Sequence, residues 1–347
     1  VLDLVHEAEG HFNLIWRSRE GVRRVRAGSL VLATGARERF LPFPGWSLPG
    51  VVGVGGAHAL LESGVDFGGK RVVLSGSGPL LLSVGAGLSR AGARVLLIAE
   101  QASAGRVLRF GAGLWRTPAR LWEAGRYRLA TSGTPYRLGS WVTRAVGEDR
   151  LEGVEVVVGG KQHTISCDIL CTGFGLVPDL TLPRLLGCDV ADGAVQVDRL
   201  QQSSVEGVWC AGETTGIGGA DAALLEGRVA GLAASGAVRD AEALTRRRDR
   251  ARGFARALEE AFRPREELRR LPDADTIVCR CEDVRFGALN PEWEGRQAKL
   301  YTRAGMGACQ GRVCGPAMEH LFGWPPGVGR IPASVATVDT LADAGDA

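Results

Sequence analysis

The chain has 347 residues, of which 45% are hydrophobic and 23% charged, and its formal net charge is +3. This balance is ordinary for a globular protein of about two domains. The charge is too small to indicate nucleic-acid binding, and no apolar run reaches the roughly 18 residues of a membrane helix. The N-terminus has no basic start followed by an apolar stretch. We therefore expect a cytoplasmic protein without a transmembrane segment, whose cysteines are thiols or metal ligands rather than disulfides.

The first predicted elements are strands. "HFNLIWRS" and "VRRVRAGSLVLATG" alternate apolar and polar residues, and the second stretch ends in a turn at Thr34 and Gly35. A protein rarely opens in the middle of a sheet, and this chain begins with Val1 rather than Met. The pattern predicts that a further segment precedes Val1.

Residues 69–100 carry the pattern of a dinucleotide-binding βαβ unit, "GKRVVLSGSGPLLLSVGAGLSRAGARVLLIAE". Gly76 would make the tight turn, and Gly78 would let the backbone approach a pyrophosphate. Glu100 ends the next strand, where a carboxylate can bind a ribose 2′-OH and repel a 2′-phosphate. The third glycine of this motif is replaced by Leu81, so we expect Gly85 and Gly87 to restore close packing. The alternative is a plain strand–helix turn with a surface glutamate.

Two later segments also place glycines at strand ends. Residues 150–175 predict a hairpin and a strand that ends at Thr172 and Gly173, after a less regular helix-and-loop region at 110–140. Residues 207–236, "GVWCAGETTGIGGADAALLEGRVAGLAASG", predict a strand, a tight turn with Gly212 and Glu213, and a helix beginning near Gly219 and Ala220. A carboxylate there can take the hydroxyls of a flavin ribityl chain, and the helix N-terminus can face the electron-rich edge of the flavin.

The Arg-rich residues 237–270 predict a helical linker with a solvated face, although such a stretch could also dock on an acidic partner or on a membrane surface. Four cysteines follow as two pairs, Cys279 with Cys281 and Cys309 with Cys314. Thiolates paired on two loops are typical ligands of an iron–sulfur cluster, and the glycines around the second pair would let backbone N–H groups turn toward sulfur. Structural zinc, whose ligand pairs usually stand two to four apart, and no metal are the alternatives.

The remaining cysteines are predicted to pack in the core, namely Cys167, Cys171, Cys188 and Cys210. Cys167 and Cys171 would lie about 13 Å apart along a strand, which is too far for a redox disulfide. The five histidines show no ligand spacing, so we assign no catalytic acid or base.

In order, the motifs "ATG", "GSGPLL", "CTGFGLVPD" and "AGETTGIGGADAALLEG" resemble flavoprotein reductases with two dinucleotide-binding domains. With "CRCEDV" and "TRAGMGACQGRVCGP" the resemblance narrows to the nucleotide-binding subunits of heteromeric dehydrogenases: the A subunit of opine oxidases, the alpha subunit of proline and hydroxyproline dehydrogenases, and the B subunit of hydrogen cyanide synthase. The cysteine segment is similar to the [2Fe–2S] domain of bacterioferritin-associated ferredoxin. Glu213 replaces the usual Asp, the segment between the cysteine pairs is short, and the family's first glycine fingerprint is missing.

The resemblance implies an α/β fold of two interleaved Rossmann-like domains with a small helical [2Fe–2S] domain. Its implied boundaries are a remnant of the FAD-binding domain at 1–50, an NAD(P)-type domain at 51–165, a return to the FAD-binding domain at 166–236, a linker at 237–275, the cluster domain at 276–323 and an extended tail at 324–347. Thr34, Gly35, Thr172, Gly173 and the turn at 212–220 would contribute to cofactor binding. FAD would bind only in a full-length protein.

The resemblance also implies a function. An amino acid, opine or amine would be oxidised by a flavin-bearing, glycine-oxidase-like partner subunit in a hetero-oligomer. Electrons would leave through FAD and the [2Fe–2S] cluster to a quinone-like or dye-like acceptor, and any membrane association would come through partners. NAD(H) or another adenine nucleotide would occupy the Gly76–Glu100 site. Two alternatives stay open: a stand-alone NADH-dependent reductase, and a nucleotide-binding scaffold that has lost its flavin site.

Overall fold

The computed structural model describes residues 1–7, 10–114, 118–325, 327 and 331–346. The chain divides into two compact units, each built from separate segments. Unit 1 contains 1–37, 176–256 and 327–347, and unit 2 contains 38–175 and 257–326. Two units whose segments alternate along the chain are what the interleaved α/β prediction requires.

Unit 2 is built around a parallel sheet of five strands, β6 Val51–Gly53, β7 Arg71–Gly76, β8 Arg94–Glu100, β9 Tyr136–Leu138 and β13 Ile169–Gly173. Their order in the sheet is β6-β13-β7-β8-β9. The helices between them are α1 Val54–Glu62, α2 Leu80–Arg90, α3 Ala104–Gly113 and α4 Pro118–Ala130. The predicted βαβ unit is confirmed as β7, α2 and β8.

Alternate residues of β7 reach two different cores, as the two-residue period of a strand requires. Val72 and Leu74 pack under α1 and α2. Val73 packs on the opposite face with Phe43 and Val154. That second core is covered by an antiparallel sheet of β10 Trp141–Val146, β11 Gly153–Val158 and β12 Lys161–Ser166. The parallel sheet is therefore buried on both faces, and its strands read as nearly continuous apolar runs.

Leu81 does not push α2 away from the sheet. Its side chain is fully buried in the core under α2. Gly85 lies close to strand β8, since a Cβ there would come within 3.1 Å of the Ile98 side chain, and a Cβ at Gly87 would come within 3.0 Å of Leu61 on α1. The two later glycines thus allow the close packing that the sequence assigns to them.

Unit 1 begins with the predicted strands, which form an antiparallel sheet of β1 Asp3–His6, β2 Phe12–Ser18 and β3 Gly21–Ala27. Strand β4 Leu30–Leu32 pairs in parallel with β17 Val208–Cys210, and β5 Ala36–Glu38 pairs with β14 Leu176–Pro178. The other elements are α5 Thr181–Leu185, β15 Val190–Ala191, β16 Ala194–Val195, α6 Gly219–Ala234 and α7 Val238–Phe262, which continues into unit 2. Strand, turn and helix at 207–236 follow the prediction.

Two sequence expectations need correction, and one predicted boundary differs from the structure. The Arg-rich stretch is helical, as α7, but its inner face is not solvated: Arg248 is 4% exposed and donates to the Gln201 side chain and the Arg199 carbonyl. The tail is not extended throughout, because helix α10 covers Val338–Asp346; within that tail, residues 326, 328–330 and 347 lie outside the described residues. The return to unit 1 falls at 175/176, whereas the sequence predicts it at 165/166.

The cysteine-bearing segment has its own small core within unit 2. Strands β18 Ile277–Cys279 and β19 Val284–Arg285 form a hairpin, and helices α8 Gly295–Thr302 and α9 Cys314–Phe322 follow. Val278, Ala298, Met318 and Trp324 are among the buried residues that pack together there. Helix α8 begins with a capping box, in which the Glu294 side chain accepts the Gln297 N–H and the Gln297 side chain accepts the Glu294 N–H.

Candidate functional site

The glycine turn of unit 2 follows β7 directly. Gly76 has φ +155°, and a Cβ there would stand 1.9 Å from the Gly173 carbonyl oxygen, so only glycine fits. The Ser77 N–H donates to the same carbonyl at 2.6 Å. Thr172 and Gly173 therefore end strand β13 beside the turn of unit 2, and the Thr172 hydroxyl donates to the Val52 carbonyl.

Glu100 ends β8 next to this turn, as predicted, but its carboxylate is fully buried. One oxygen accepts the Gly78 N–H at 2.7 Å and the other accepts the Ala102 N–H at 2.8 Å. Burial raises the pKa of Glu100 to about 7, against the opposing effect of these backbone hydrogen bonds. The carboxylate thus holds the loop itself, and its contact with a ribose hydroxyl stays a prediction.

In unit 1, the end of β4 is tied to a neighbouring turn. The Thr34 hydroxyl donates to the Asp179 carbonyl at 2.7 Å and shares a 3.1 Å hydrogen bond with the Thr214 hydroxyl. Gly35 has φ +69°, and its carbonyl accepts the Asp179 N–H at 2.8 Å. The first Thr-Gly strand end and the Gly-Glu turn, predicted from distant segments, therefore meet at one place.

The Gly-Glu turn is a single turn of 3₁₀ helix, Gly212–Thr215, which leads into α6. Burial raises the pKa of the half-buried Glu213, and a hydrogen bond from the Gly219 N–H opposes that shift. Gly219 and Ala220, in the first turn of α6, are both exposed. A helix N-terminus that reaches the surface beside a carboxylate can interact with a ligand that carries both hydroxyls and partial negative charge.

A partly buried ion pair supports this turn, and sequence reasoning missed it. Glu226, on α6, is 3% exposed and accepts the Gly212 N–H at 2.9 Å and the Thr215 hydroxyl at 2.8 Å. Its other oxygen accepts Nε of Arg252 at 2.5 Å, and Arg252 also donates to the Thr215 hydroxyl. Through these hydrogen bonds the pair holds the backbone of the turn in place. The only sequence signal for this pair was Glu226 itself, in "LLEG", and an acid at such a position is common on helix surfaces.

The four clustered cysteines meet as two cross-loop pairs. The Cys314 thiol donates a hydrogen bond to Cys279, and Cys281 lies within hydrogen-bonding reach of Cys309. That bond from Cys314 lowers the pKa of Cys279 to about 5, helped by the backbone N–H groups of Gly305, Glu282 and Cys281. The same bond raises the pKa of Cys314. Each pair takes one sulfur from each loop.

The glycines around the second loop let it approach the first. A Cβ at Gly307 would come within 2.2 Å of the Cys281 Cβ, so the close approach of the two loops requires glycine there. Cys279 and Cys314 are buried, whereas Cys281 is exposed. Among the described residues, no three His, Cys, Asp or Glu side chains are arranged to hold a single metal ion. The donor set therefore stands as two pairs of thiols.

The other four cysteines are all buried, which confirms that they pack in the core. Cys188 and Cys210 also share a hydrogen bond that lowers the pKa of Cys188 to about 7 and raises that of Cys210. No sequence pattern indicated this contact, because the two cysteines belong to separate segments of the chain. Among the described helices, none is both long enough and apolar enough to cross a bilayer.

The parallel sheet, its glycine turns and the two interleaved units place the chain in the class of nucleotide-binding α/β folds. The family model described as pyridine nucleotide-disulphide oxidoreductase matches residues 4–227, and the chain belongs to this family. Membership implies an FAD/NAD(P)-binding α/β fold with a parallel sheet.

Among proteins of known name, the A subunit of opine oxidase from Rhizobium meliloti (strain 1021) is 37% identical over 341 residues, covering 88% of this chain and 72% of that protein. Hydrogen cyanide synthase subunit HcnB of Pseudomonas aeruginosa is 33% identical over 336 residues, with the same coverage. The structure of L-proline dehydrogenase from P. horikoshii superposes with a TM-score of 0.63 at 18% identity, covering 98% of this chain and 63% of that one. That likeness concerns the fold. The chain thus spans under two thirds of this structural relative and under three quarters of the two sequence relatives.

Proposed function

We propose that this chain is the electron-transfer, nucleotide-binding part of a heteromeric flavin-dependent dehydrogenase that oxidises an amino acid, an opine or an amine. The observation that carries the proposal is the presence, in one chain, of family-type nucleotide turns and four cysteines gathered as two cross-loop pairs. The named relatives are subunits of opine oxidase and hydrogen cyanide synthase, which supports a hetero-oligomer.

The residues of unit 1 suit a flavin nucleotide. Glu213 offers a half-buried carboxylate for ribityl hydroxyls, and the start of α6 at the surface offers backbone N–H groups and the positive end of a helix dipole. Thr34 and Gly35 close the neighbouring strand end. The ion pair of Glu226 and Arg252 keeps the turn rigid without using the Glu213 carboxylate.

The donor set of the cysteine segment suits a [2Fe–2S] cluster, with Cys279, Cys281, Cys309 and Cys314 as its thiolates. Hydrogen bonds from backbone N–H groups to the Cys279 sulfur are the kind that tune the reduction potential of such a centre. When bound, FAD would take up the substrate's electron pair and the cluster would pass electrons on singly. The protein's part is to bind, orient and insulate these groups.

The catalytic partner in this proposal is a flavin-bearing, glycine-oxidase-like subunit, and the acceptor is a quinone or a dye. Co-expression of the full-length, FAD-binding protein with the product of a neighbouring oxidase-like gene should give substrate-dependent dye reduction at rates typical of enzymes, on the order of 1–10³ s⁻¹. The chain purified alone should give none. Full activity of the isolated chain on an amino acid or opine would show that it carries its own substrate site and would overturn the relay assignment.

The same purified chain also distinguishes the proposed function from the main alternative, a stand-alone NADH-dependent reductase. A stand-alone reductase would consume NADH in the presence of a dye, without an amino acid and without the partner. We expect no NADH consumption above background from the isolated chain. Rapid NADH-dependent dye reduction would contradict the dehydrogenase-subunit proposal and would show that the chain is a stand-alone reductase.

A further inference from the structure

The glycine turn of unit 2 is covered by a segment of the same unit. The Ser77 hydroxyl donates to the Phe262 carbonyl at 2.5 Å. The Phe262 side chain lies over Gly78, where an added Cβ would come within 3.9 Å of the phenyl ring. Phe262 also makes an edge contact with Phe110 of α3, with ring centroids 5.7 Å apart. The end of α7 thus rests on the backbone that a pyrophosphate would approach.

Gln101 fastens the next residues of this segment. Its side-chain amide donates to the Ser77 hydroxyl at 2.8 Å and to the carbonyls of Phe262 and Arg263 at 3.3 Å. Its side-chain oxygen accepts the Arg265 N–H at 3.0 Å. Gln101 is fully buried and directly follows Glu100, so the segment also lies over the strand end where a ribose would bind.

The far end of the segment is anchored by Arg265. Its guanidinium stacks 4.5 Å above the Trp141 ring, an attractive cation–π arrangement, and it pairs with Glu267 at 2.6 Å. From α3, Arg106 donates to the Arg263 carbonyl at 3.0 Å. Residues 262–265, which we call the cover, are therefore held at both ends and along their backbone.

The polar groups of the turn are also satisfied from within the chain. The Ser77 N–H donates to the Gly173 carbonyl, and the Ser77 hydroxyl donates to the Phe262 carbonyl. The Gly78 N–H donates to the Glu100 carboxylate. A pyrophosphate entering here would have to displace the Phe262 carbonyl and would meet a buried carboxylate behind the loop. Each of these features disfavours an anion while the cover is closed.

We infer that the cover closes the second nucleotide site of this protein, so that an adenine nucleotide binds only to molecules in which residues 262–265 have moved away. The inference holds whichever enzyme the chain serves, since it concerns unit 2 alone. The closed state competes with the nucleotide for the site. If the site is open in about a tenth of the molecules, the apparent Kd for the nucleotide rises about tenfold.

The test is calorimetric titration of the whole chain with ADP, which carries both the pyrophosphate and the adenosine ribose. The variants are Phe262→Ala, which removes the ring over Gly78, and Arg265→Ala, which removes the stacking on Trp141. Arg285→Ala is the matched control, because Arg285 lies in the same unit and makes an exposed ion pair with Asp275. Thermal melting checks that each variant is folded, and either folded cover variant suffices for the comparison.

We expect a folded cover variant to bind ADP at least about tenfold more tightly than wild type and the control do. Micromolar binding by wild type would show that the cover does not close the site. Equal affinity in wild type and in the cover variants, or no binding by any of them, would show that residues 262–265 do not gate a nucleotide site.

Discussion

The two glycine turns of this protein share one local pattern but differ in what surrounds them. In unit 2 the acid after the turn, Glu100, is fully buried with both oxygens on backbone N–H groups, and a distant segment lies over the loop. In unit 1 the acid in the turn, Glu213, is half-buried, and the helix that follows starts at the surface. A strand, a glycine and a carboxylate therefore predict where a site can form, whereas the tertiary neighbours decide whether it is open.

The largest expected difference between the two turns is the loss of stability when their glycines are replaced by alanine. Alanine at Gly76 would drive a Cβ against the Gly173 carbonyl oxygen in a buried backbone with φ +155°. Alanine at Gly212 would make an ordinary 3.5 Å contact with Ala223 and would be strained only by φ +75°. We expect Gly76→Ala to lower the free energy of unfolding by about 4 kcal/mol or to prevent folding, and Gly212→Ala to cost about 1–2 kcal/mol. Urea unfolding measures both.

Gly111→Ala is the control for these two variants, because Gly111 lies in helix α3 with open space around it. It should be neutral or should stabilise the protein by up to about 1 kcal/mol. Equal losses at Gly76 and Gly212 would contradict the description of the two turns.

The second effect concerns the ion pair below the turn of unit 1. Glu226→Ala removes an acceptor of three hydrogen bonds and leaves Arg252 without its carboxylate. We expect a loss of about 3 kcal/mol in the free energy of unfolding. The matched control is Glu242→Ala, which breaks a solvent-exposed pair with Arg199 and should cost less than about 1 kcal/mol. A loss at Glu226 no larger than at Glu242 would mean that the turn does not depend on this pair.

The third effect is a pH dependence at Glu100. Its pKa in the folded chain, about 7, lies above the ordinary value of 4.5 because the carboxyl is buried. The folded state therefore loses stability relative to the unfolded state as the pH rises from about 4.5 through about 7. Glutamine does not titrate, although it gives up one of the two accepted N–H bonds at every pH. The melting temperature of Glu100→Gln relative to wild type should therefore rise between about pH 5 and about pH 8. A constant or falling difference would contradict the raised pKa.

Much of the fold was readable from sequence because its signals are local. The apolar run before Gly76, the small residues of α2 and the acid at the end of β8 lie within 69–100 and give one consistent pattern. The same holds for the strand, turn and helix around Glu213. The helix Val238–Phe262 was also predicted, since a charged stretch without a Gly-Pro turn favours a helix.

What could not be read from sequence depends on contacts between distant residues. Ser77 and Phe262 are 185 positions apart, and Glu226 and Arg252 are 26 apart, so no local period links either pair. Arg248 and Arg252 sit in a stretch whose composition suggests a solvated surface, and burial was decided by Gln201 and Glu226. The four cysteines were an intermediate case, because their spacing predicted two pairs along the chain while the structure pairs each loop with the other.

The most direct test of the proposed function is metal and sulfide analysis of the anaerobically purified chain, compared with Cys309→Ala and with Cys167→Ala. Cys167 is a buried cysteine outside the paired set and serves as the matched control. The proposal predicts iron and acid-labile sulfide in equal amounts in wild type and in Cys167→Ala, and the loss of both in Cys309→Ala. Stoichiometric zinc without sulfide, or an iron content that Cys309→Ala leaves unchanged, would contradict it.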